Sequence, residues 1–259
     1  MPYLPNTPVG KMHKYLTDFD KYTRPLPFYV DNLFTDEEIK QLKDIIYFNK
    51  SRDQVVHGEF ERTTEKMWDR FRPKKIEYMS RVLIEFQMPK HIENKLDLIA
   101  KPLHKDPIAL CHYNYIEYNK KYGTGTNSPR LQPHIDADEN LITINYQLDS
   151  NIEWDVVIEG VHYPLKNNQA LIFSAVNQIH WRPKRRIKDG EFTEIISMDW
   201  CPITNYRFLG HQNPIDPHSF PEAREAYARD LAEREDFQRY WKQYDAEGEE
   251  VGISREEEY

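Results

Sequence analysis

Three residues, His134, Asp136 and His180, are of the types that can hold an iron ion on one face. Two imidazoles and one carboxylate form a facial triad, which leaves the opposite side of Fe(II) open for a bidentate ligand and O₂. Residues i and i+2 of an extended chain point to the same side, so His134 and Asp136 can reach one ion. His180 must then come from another strand alongside. These are the predicted catalytic and metal-binding residues.

The sequence around the three residues is rich in short strand-like segments. Aromatic and β-branched residues dominate them, and Gly, Pro, Asn and Asp punctuate the connections. Glu159 and Gly160 separate two of the segments and predict a hairpin turn. Short strands at this spacing predict a mainly β fold with helical support, a double-stranded β-helix (jelly-roll, cupin-like) barrel. The segments span 108–118, 141–148, 154–158, 161–165, 169–173 and 191–200.

Helical signals flank the predicted barrel on both sides. Thr35 and Glu38 form a capping box that opens a helix with one apolar face. Two further helices are predicted over 74–86 and 89–100. A C-terminal helix is predicted after the cap at 219–222, and its apolar stripe offers a surface for homo-oligomerisation. The stripe consists of Tyr227, Leu231, Phe237 and Trp241.

The predicted organisation has four parts. Residues 1–25 form an extended N-terminal arm that contains several prolines, and residues 26–105 form a helical support region. Residues 106–210 form the double-stranded β-helix core. Residues 211–259 contain the C-terminal helix and an acidic tail.

Composition narrows the class of protein. The formal net charge is −8, from 35 Lys and Arg against 43 Asp and Glu, which argues mildly against a nucleic-acid-binding protein. No apolar run approaches the roughly 20 residues of a membrane span, and the N-terminus has no signal-peptide pattern. Cys111 and Cys201 lie far apart, so neither a zinc knuckle nor a disulfide framework is indicated. We therefore expect a cytoplasmic protein.

The sequence resembles the Fe(II)/2-oxoglutarate-dependent dioxygenases, most closely their prolyl-hydroxylase-like branch. The resemblance covers roughly residues 26–204 and rests on the strand that ends at Tyr118, the pair His134-x-Asp136, and 168–173 followed by His180. It implies Fe(II), 2-oxoglutarate as co-substrate and O₂, with hydroxylation or oxidative demethylation of a C–H bond through a ferryl intermediate. The carboxylate of Asp136 counts against a halogenase, in which a small residue replaces it.

The chain departs from the family at the co-substrate anchor. The family usually places an arginine or lysine on the last barrel strand to pair with the distal carboxylate of 2-oxoglutarate. Here 193–200 contains no basic residue, and the matching position is Glu194. Arg182 shares a face with His180 in extended chain and is the predicted replacement, with Arg130 as a second candidate. The predicted hydrogen-bonding neighbours of the co-substrate are Tyr118, Asn145 and Gln147.

Two other classes of function stay open at this point. One is a non-catalytic jelly-roll protein that binds a partner or serves a structural role, which the absent strand arginine favours. The other is a cupin-like metalloenzyme that does not use 2-oxoglutarate. The expected partner is a small-molecule or peptidyl substrate, with neither nucleic acid nor a membrane. Fold analogy cannot choose among substrates.

Overall fold

The computed structural model describes residues 19–52, 56–57, 75–78, 81–84, 86–120, 131–136, 140–203 and 234–250. The helices in these ranges are α1 (Asp36–Arg52), α2 (Lys90–Ala100) and α3 (Glu235–Glu250). The strands are β1 (Phe28–Asp31), β2 (Val56–His57), β3 (Lys75–Tyr78), β4 (Arg81–Ile84), β5 (Ile108–Asn119), β6 (Leu131–His134), β7 (Ile142–Ser150), β8 (Val156–Ile158), β9 (Val161–Tyr163), β10 (Gln169–Phe173), β11 (His180–Arg182) and β12 (Phe192–Pro202).

The strands form two sheets. The major sheet has the order β1-β10-β7-β12-β5-β4-β3-β2, and the minor sheet has the order β6-β11-β8-β9. Neighbouring strands are antiparallel except β2 and β3. Val156 and Ile158 of the minor sheet pack against Leu171 and Phe173 of the major sheet. Two packed antiparallel sheets confirm the predicted double-stranded β-helix.

Strand β7 shows how the residue pattern gives the major sheet two different faces. Ile142 and Ile144 belong to the same buried cluster as Leu42 and Ile46 of α1, so one face packs on the helices. Side chains alternate along a strand, and the polar residues between them therefore face the interior of the barrel. This inward row consists of Thr143, Asn145 and Gln147.

The first helix is built as its sequence predicts. Thr35 N donates to Glu38 Oε2 at 2.8 Å, and Glu38 N donates to Thr35 Oγ1 at 3.2 Å, which completes the capping box. Leu42 and Ile46 of the apolar face are fully buried against the major sheet.

The predicted helix over 74–86 is wrong. Its described parts are the strands β3 and β4, and β4 pairs with β5 to widen the major sheet. Val82 and Ile84 are buried whereas Arg81 and Leu83 are half-buried, which is the period of two of a strand. The β-branched residues of this segment favour the sheet, and the edge of β5 supplies the pairing that a helix would have left unused. The region 26–105 is therefore a mixture of helices and strands.

The hairpin at Glu159 and Gly160 is confirmed. Both residues have positive φ, 49° and 79°, as a two-residue turn that follows the twist of the strands requires. A Cβ atom on Gly160 would lie 2.9 Å from the ring of Tyr240, so α3 also approaches this turn closely.

The C-terminal helix packs on its own chain. Tyr240 and Tyr244 are buried against Ile135, Val157 and other residues of the minor sheet, with Phe237 at the margin. The buried stripe therefore includes Tyr240 and Tyr244, which the sequence reading passed over. The proposed cap at 219–222, Tyr227 and Leu231 lie outside the described residues, and homo-oligomerisation stays a prediction.

The N-terminal arm and the two cysteines differ from what the sequence predicted. Most of the predicted arm, 1–18, lies outside the described residues, but Tyr22 is anchored: its hydroxyl lies 2.7 Å from Ser174 Oγ. Cys111 of β5 and Cys201 of β12 form a disulfide between paired strands, which corrects the expectation of unpaired cysteines. Sequence separation did not show that the two strands are neighbours. Among the described helices, none is long and apolar enough to span a membrane.

Candidate metal centre

The two histidines face each other on neighbouring strands. His134 at the end of β6 is the register partner of His180 at the start of β11, and their ring centroids lie 4.2 Å apart. Asp136 follows two residues after His134. Its Oδ1 lies 3.4 Å from Nε2 of His134 and 3.8 Å from Nε2 of His180. Among the described residues, these are the ones grouped closely enough to hold a metal ion, with one ligand atom of each within 4.8 Å of the others.

Backbone carbonyls fix both imidazole rings. Nδ1 of His134 lies 2.7 Å from the carbonyl oxygen of Gln132, and Nδ1 of His180 lies 3.1 Å from that of Gln178. A carbonyl only accepts hydrogen bonds, so Nδ1 carries the proton in each ring. The lone pair of Nε2 is then directed toward the ion, which is the usual support of a metal-binding histidine.

Hydrogen bonds also hold Asp136 in place. The backbone N–H of Asp136 donates to Ala175 O at 2.9 Å. Asn140 Nδ2 donates to Asp136 Oδ2 at 3.2 Å, which leaves Oδ1 facing the histidines. The sequence reading missed Asn140. Its position four residues after a predicted ligand is a usable signal, but only the fold shows that its side chain turns back.

The protonation states favour metal binding. Burial, together with the neighbouring His134, lowers the pKa of the His180 imidazole to about 4, so the ring is neutral at pH 7. Burial alone would raise the pKa of the Asp136 carboxyl, but its close contacts with His134, His180 and Asn140 outweigh burial and lower that pKa. One carboxylate and two imidazole lone pairs fit Fe(II) with an open opposite side.

Helix α3 supports the strands that carry these ligands. Ile135 lies between His134 and Asp136, and Trp181 directly follows His180. Both are buried in one cluster with Tyr240 and Tyr244 of α3. Trp181 Nε1 donates to Glu247 Oε2 at 3.2 Å. The inner face of the minor sheet thus holds the ligands while the outer face is covered by the helix.

Arg182 lies deeper in the barrel than the triad. It is 2% exposed, and its Nη1 donates to Trp154 O at 2.9 Å. Its Nη2 is buried without a hydrogen-bond partner in the part of the chain that the structure describes. Burial lowers the pKa of this guanidinium to about 10, so it stays charged at neutral pH. Glu194 lies on the other face of the major sheet, where its Oε2 accepts from Tyr47 at 2.7 Å, and does not neutralise Arg182.

The other predicted co-substrate residues differ in whether their polar groups already have partners. Tyr118 is 1% exposed and its ring contacts that of Trp154, at 4.9 Å between centroids. Gln147 is also buried, but its Nε2 already donates to Thr193 Oγ1 at 2.6 Å. Asn145 Oδ1 is buried without a hydrogen-bond partner among the described residues. Arg130, the second candidate anchor, lies outside the described residues.

A further carboxylate faces the barrel interior. Asp199 of β12 is 4% exposed and accepts a hydrogen bond from Thr143 Oγ1 at 2.7 Å. Thr143 is the register partner of Phe173, whose ring lies edge-on to that of His180 at 5.0 Å. The sequence reading passed over Asp199. It alternates in phase with Thr193 and Ile195, so the period of two along β12 was a signal that could have found it.

Comparisons with known proteins bear on the fold. No family model matches the chain, and no curated protein sequence does. Among known structures, the α-ketoglutarate-dependent epimerase SnoN from nogalamycin biosynthesis matches 75% of this chain and 83% of its own, at 12% identity and a TM-score of 0.51. A prolyl hydroxylase from Trichoplax adhaerens matches 79% and 94% at 10% identity, with a TM-score of 0.49. The match to SnoN, together with the two packed sheets, gives the chain a double-stranded β-helix fold like that of this epimerase.

Proposed function

We propose that this protein is an Fe(II)- and 2-oxoglutarate-dependent oxygenase that hydroxylates, or oxidatively demethylates, a C–H bond of its substrate. The observation that carries the proposal is the triad of His134, Asp136 and His180, because its Nε2 and Oδ1 atoms converge and its rings are fixed in the metal-binding tautomer. When bound, the iron supplies activation of O₂, with electrons from the co-substrate and the substrate.

Arg182 is our proposed anchor for the distal carboxylate of 2-oxoglutarate. Arg182 lies two residues after His180 on β11, and two residues of a strand span about 6.6 Å, close to the length of the co-substrate. Its Nη2 is a buried donor with no partner among the described residues, so an incoming carboxylate would satisfy it. The ring of Tyr118 contacts that of Trp154, which Arg182 also contacts, and Asn145 is a further proposed hydrogen-bonding neighbour. Gln147 is the weakest of the predicted contacts, because its amide is already engaged by Thr193.

The proposed substrate is a small molecule or a peptidyl residue with polar groups. The wall of the major sheet that faces the interior near the triad carries Thr143, Asn145, Ser197 and Asp199, as the registers of β7 and β12 show. Such a wall offers hydrogen bonds and a negative charge next to the carbon that would be oxidised. SnoN has been crystallised with Fe3+, α-ketoglutarate and nogalamycin RO, which is consistent with small-molecule chemistry on this fold.

Anaerobic titration tests the proposal without knowledge of the substrate. Addition of Fe(II) and then 2-oxoglutarate should produce the visible charge-transfer band of a ternary complex, and succinate in place of 2-oxoglutarate should not. The His134→Ala variant is the matched control and should give no band. Iron binding without a response to 2-oxoglutarate would favour the cupin-like alternative. Binding of neither would favour a non-catalytic protein.

A further inference from the structure

Two arginines from different strands lie on either side of the Tyr118–Trp154 ring pair: Arg81 contacts Tyr118, and Arg182 contacts Trp154. Arg182 lies on β11 of the minor sheet, and its guanidinium carbon lies 5.1 Å from the ring centroid of Trp154, the same ring that Tyr118 contacts. Arg81 lies on β4 of the major sheet as the register partner of Tyr118. Its Nη1 donates to the Tyr118 hydroxyl at 2.9 Å. Nothing in the family resemblance assigned a role to β4.

The contact with Arg81 decides what the Tyr118 hydroxyl can do. A phenol has one proton to donate and lone pairs to accept with. Arginine can only donate, so Tyr118 is the acceptor in this pair and keeps its own proton for another partner. Tyr118 is 1% exposed, which makes water a poor candidate for that partner. Arg182, whose Nη2 has no hydrogen-bond partner among the residues that the structure describes, contacts the same Trp154 ring.

Electrostatics agrees with an anion at this position. Burial is the largest cause of the lowered pKa of Arg182, and the positive charge of Arg81 lowers it further, so the two cations interact. Two like charges next to a buried hydroxyl donor are stabilised when a carboxylate binds between the donors.

We propose that Arg81 is a positioning residue for the distal carboxylate of the co-substrate, and that it acts by holding Tyr118 as a hydrogen-bond donor beside Arg182. This inference rests on the proposed function. Two groups would then replace the cation that β12 lacks. Arg182 of β11 binds the carboxylate directly, and Tyr118, held by Arg81 of β4, donates a hydrogen bond to it.

The test measures anaerobic affinity for 2-oxoglutarate in the Fe(II)-loaded protein. Arg81→Ala should weaken binding roughly tenfold, which is the size of one hydrogen bond to a charged group. Tyr118→Phe should weaken it by a similar factor. The double variant should be no weaker than Tyr118→Phe, because Arg81 acts through the hydroxyl, and Arg81→Lys should recover part of the loss. Arg239→Ala is the matched control, since Arg239 Nη2 donates to the Tyr240 hydroxyl at 3.0 Å on α3, away from the barrel interior.

Oxalate separates this role from a general structural one. It can bind iron but has no distal carboxylate, so its affinity should be equal in the parent and in Arg81→Ala. Equal loss of oxalate, iron and 2-oxoglutarate binding would mean that Arg81 only supports the fold, and would overturn the inference. So would unchanged 2-oxoglutarate affinity in Arg81→Ala, or additive losses in the double variant, while the proposed function would stand. If the parent itself does not bind 2-oxoglutarate, both proposals fail together.

Discussion

The two faces of the major sheet treat their buried charges differently. On the outer face, Glu117 and Glu194 lie directly opposite each other on β5 and β12, each 5% exposed. Glu117 forms an ion pair with Lys50 and accepts from Asn119 Nδ2 at 2.6 Å, and Glu194 accepts from Tyr47 at 2.7 Å. The chain thus provides partners for both carboxylates.

On the inner face of the major sheet and on the facing minor sheet, two polar groups lack hydrogen-bond partners among the described residues. Arg182 Nη2 and Asn145 Oδ1 are buried, and neither has a hydrogen-bond partner among the described residues. An unsatisfied buried polar group costs about 1–3 kcal/mol, so stability alone does not favour this arrangement. The partnered carboxylates of the outer face belong to the fold, and the unsatisfied groups of the inner face fit the co-substrate proposed above. Inner-face substitutions should therefore affect binding more than stability.

The largest expected effect is at the triad. His134→Ala should abolish stoichiometric Fe(II) binding while the melting temperature of the metal-free protein stays close to that of the parent. The His134 side chain is 31% exposed and packs at an open site, so its removal leaves no closed cavity. Anaerobic equilibrium dialysis measures the metal content. His162→Ala, an exposed histidine of β9, is the control that should keep its iron, and unchanged iron affinity in His134→Ala would refute the triad.

The second effect concerns the buried cation. Arg182→Ala should weaken 2-oxoglutarate binding by two to three decades, because loss of one partner of a buried bidentate pair costs about 3–5 kcal/mol. Iron affinity and melting temperature should change little, since no carboxylate among the described residues forms an ion pair with Arg182. Calorimetric titration of the iron-loaded variant measures the affinity. Arg186→Ala, in the same basic segment but exposed, should bind as the parent does, and a parent-like Arg182→Ala would leave Arg130 as the next position to test.

The smallest effect is expected on the outer face and should appear in stability alone. Burial and the neighbouring Glu117 raise the pKa of Glu194, against the hydrogen bonds of Tyr47 and Tyr115. A pKa that is higher in the folded state means that stability is complete at low pH and falls as pH rises through that pKa. Glu194→Gln should remove this loss. Its melting temperature should match the parent below the ordinary carboxyl range and exceed it slightly at pH 7–8.

That pH dependence has a clear contrary outcome. If Glu194→Gln is less stable than the parent at pH 7–8, the ionised carboxylate stabilises the fold. Burial of its charge then does not lower the stability of the protein. The affinity for 2-oxoglutarate should be unchanged in this variant at either pH.

The sequence by itself determined the barrel and the three residues of the candidate metal centre. Alternation of polar and apolar residues along β7, the turn at Glu159 and Gly160, and the pair His134-x-Asp136 are local patterns whose periods are set by backbone geometry. These patterns can be recognised in a single sequence because they lie within a few neighbouring residues.

Only the tertiary structure decided which distant segments of the chain are neighbours. The pairing of Cys111 with Cys201, the addition of β3 and β4 to the major sheet, and the hydrogen bond from Arg81 to Tyr118 all join residues far apart in sequence. Strand order and register set these contacts, and they depend on the packing of the whole chain. Propensity within 74–86 could not show that β4 pairs with the edge of β5. That pairing favours strands over the predicted helix and places Arg81 beside Tyr118.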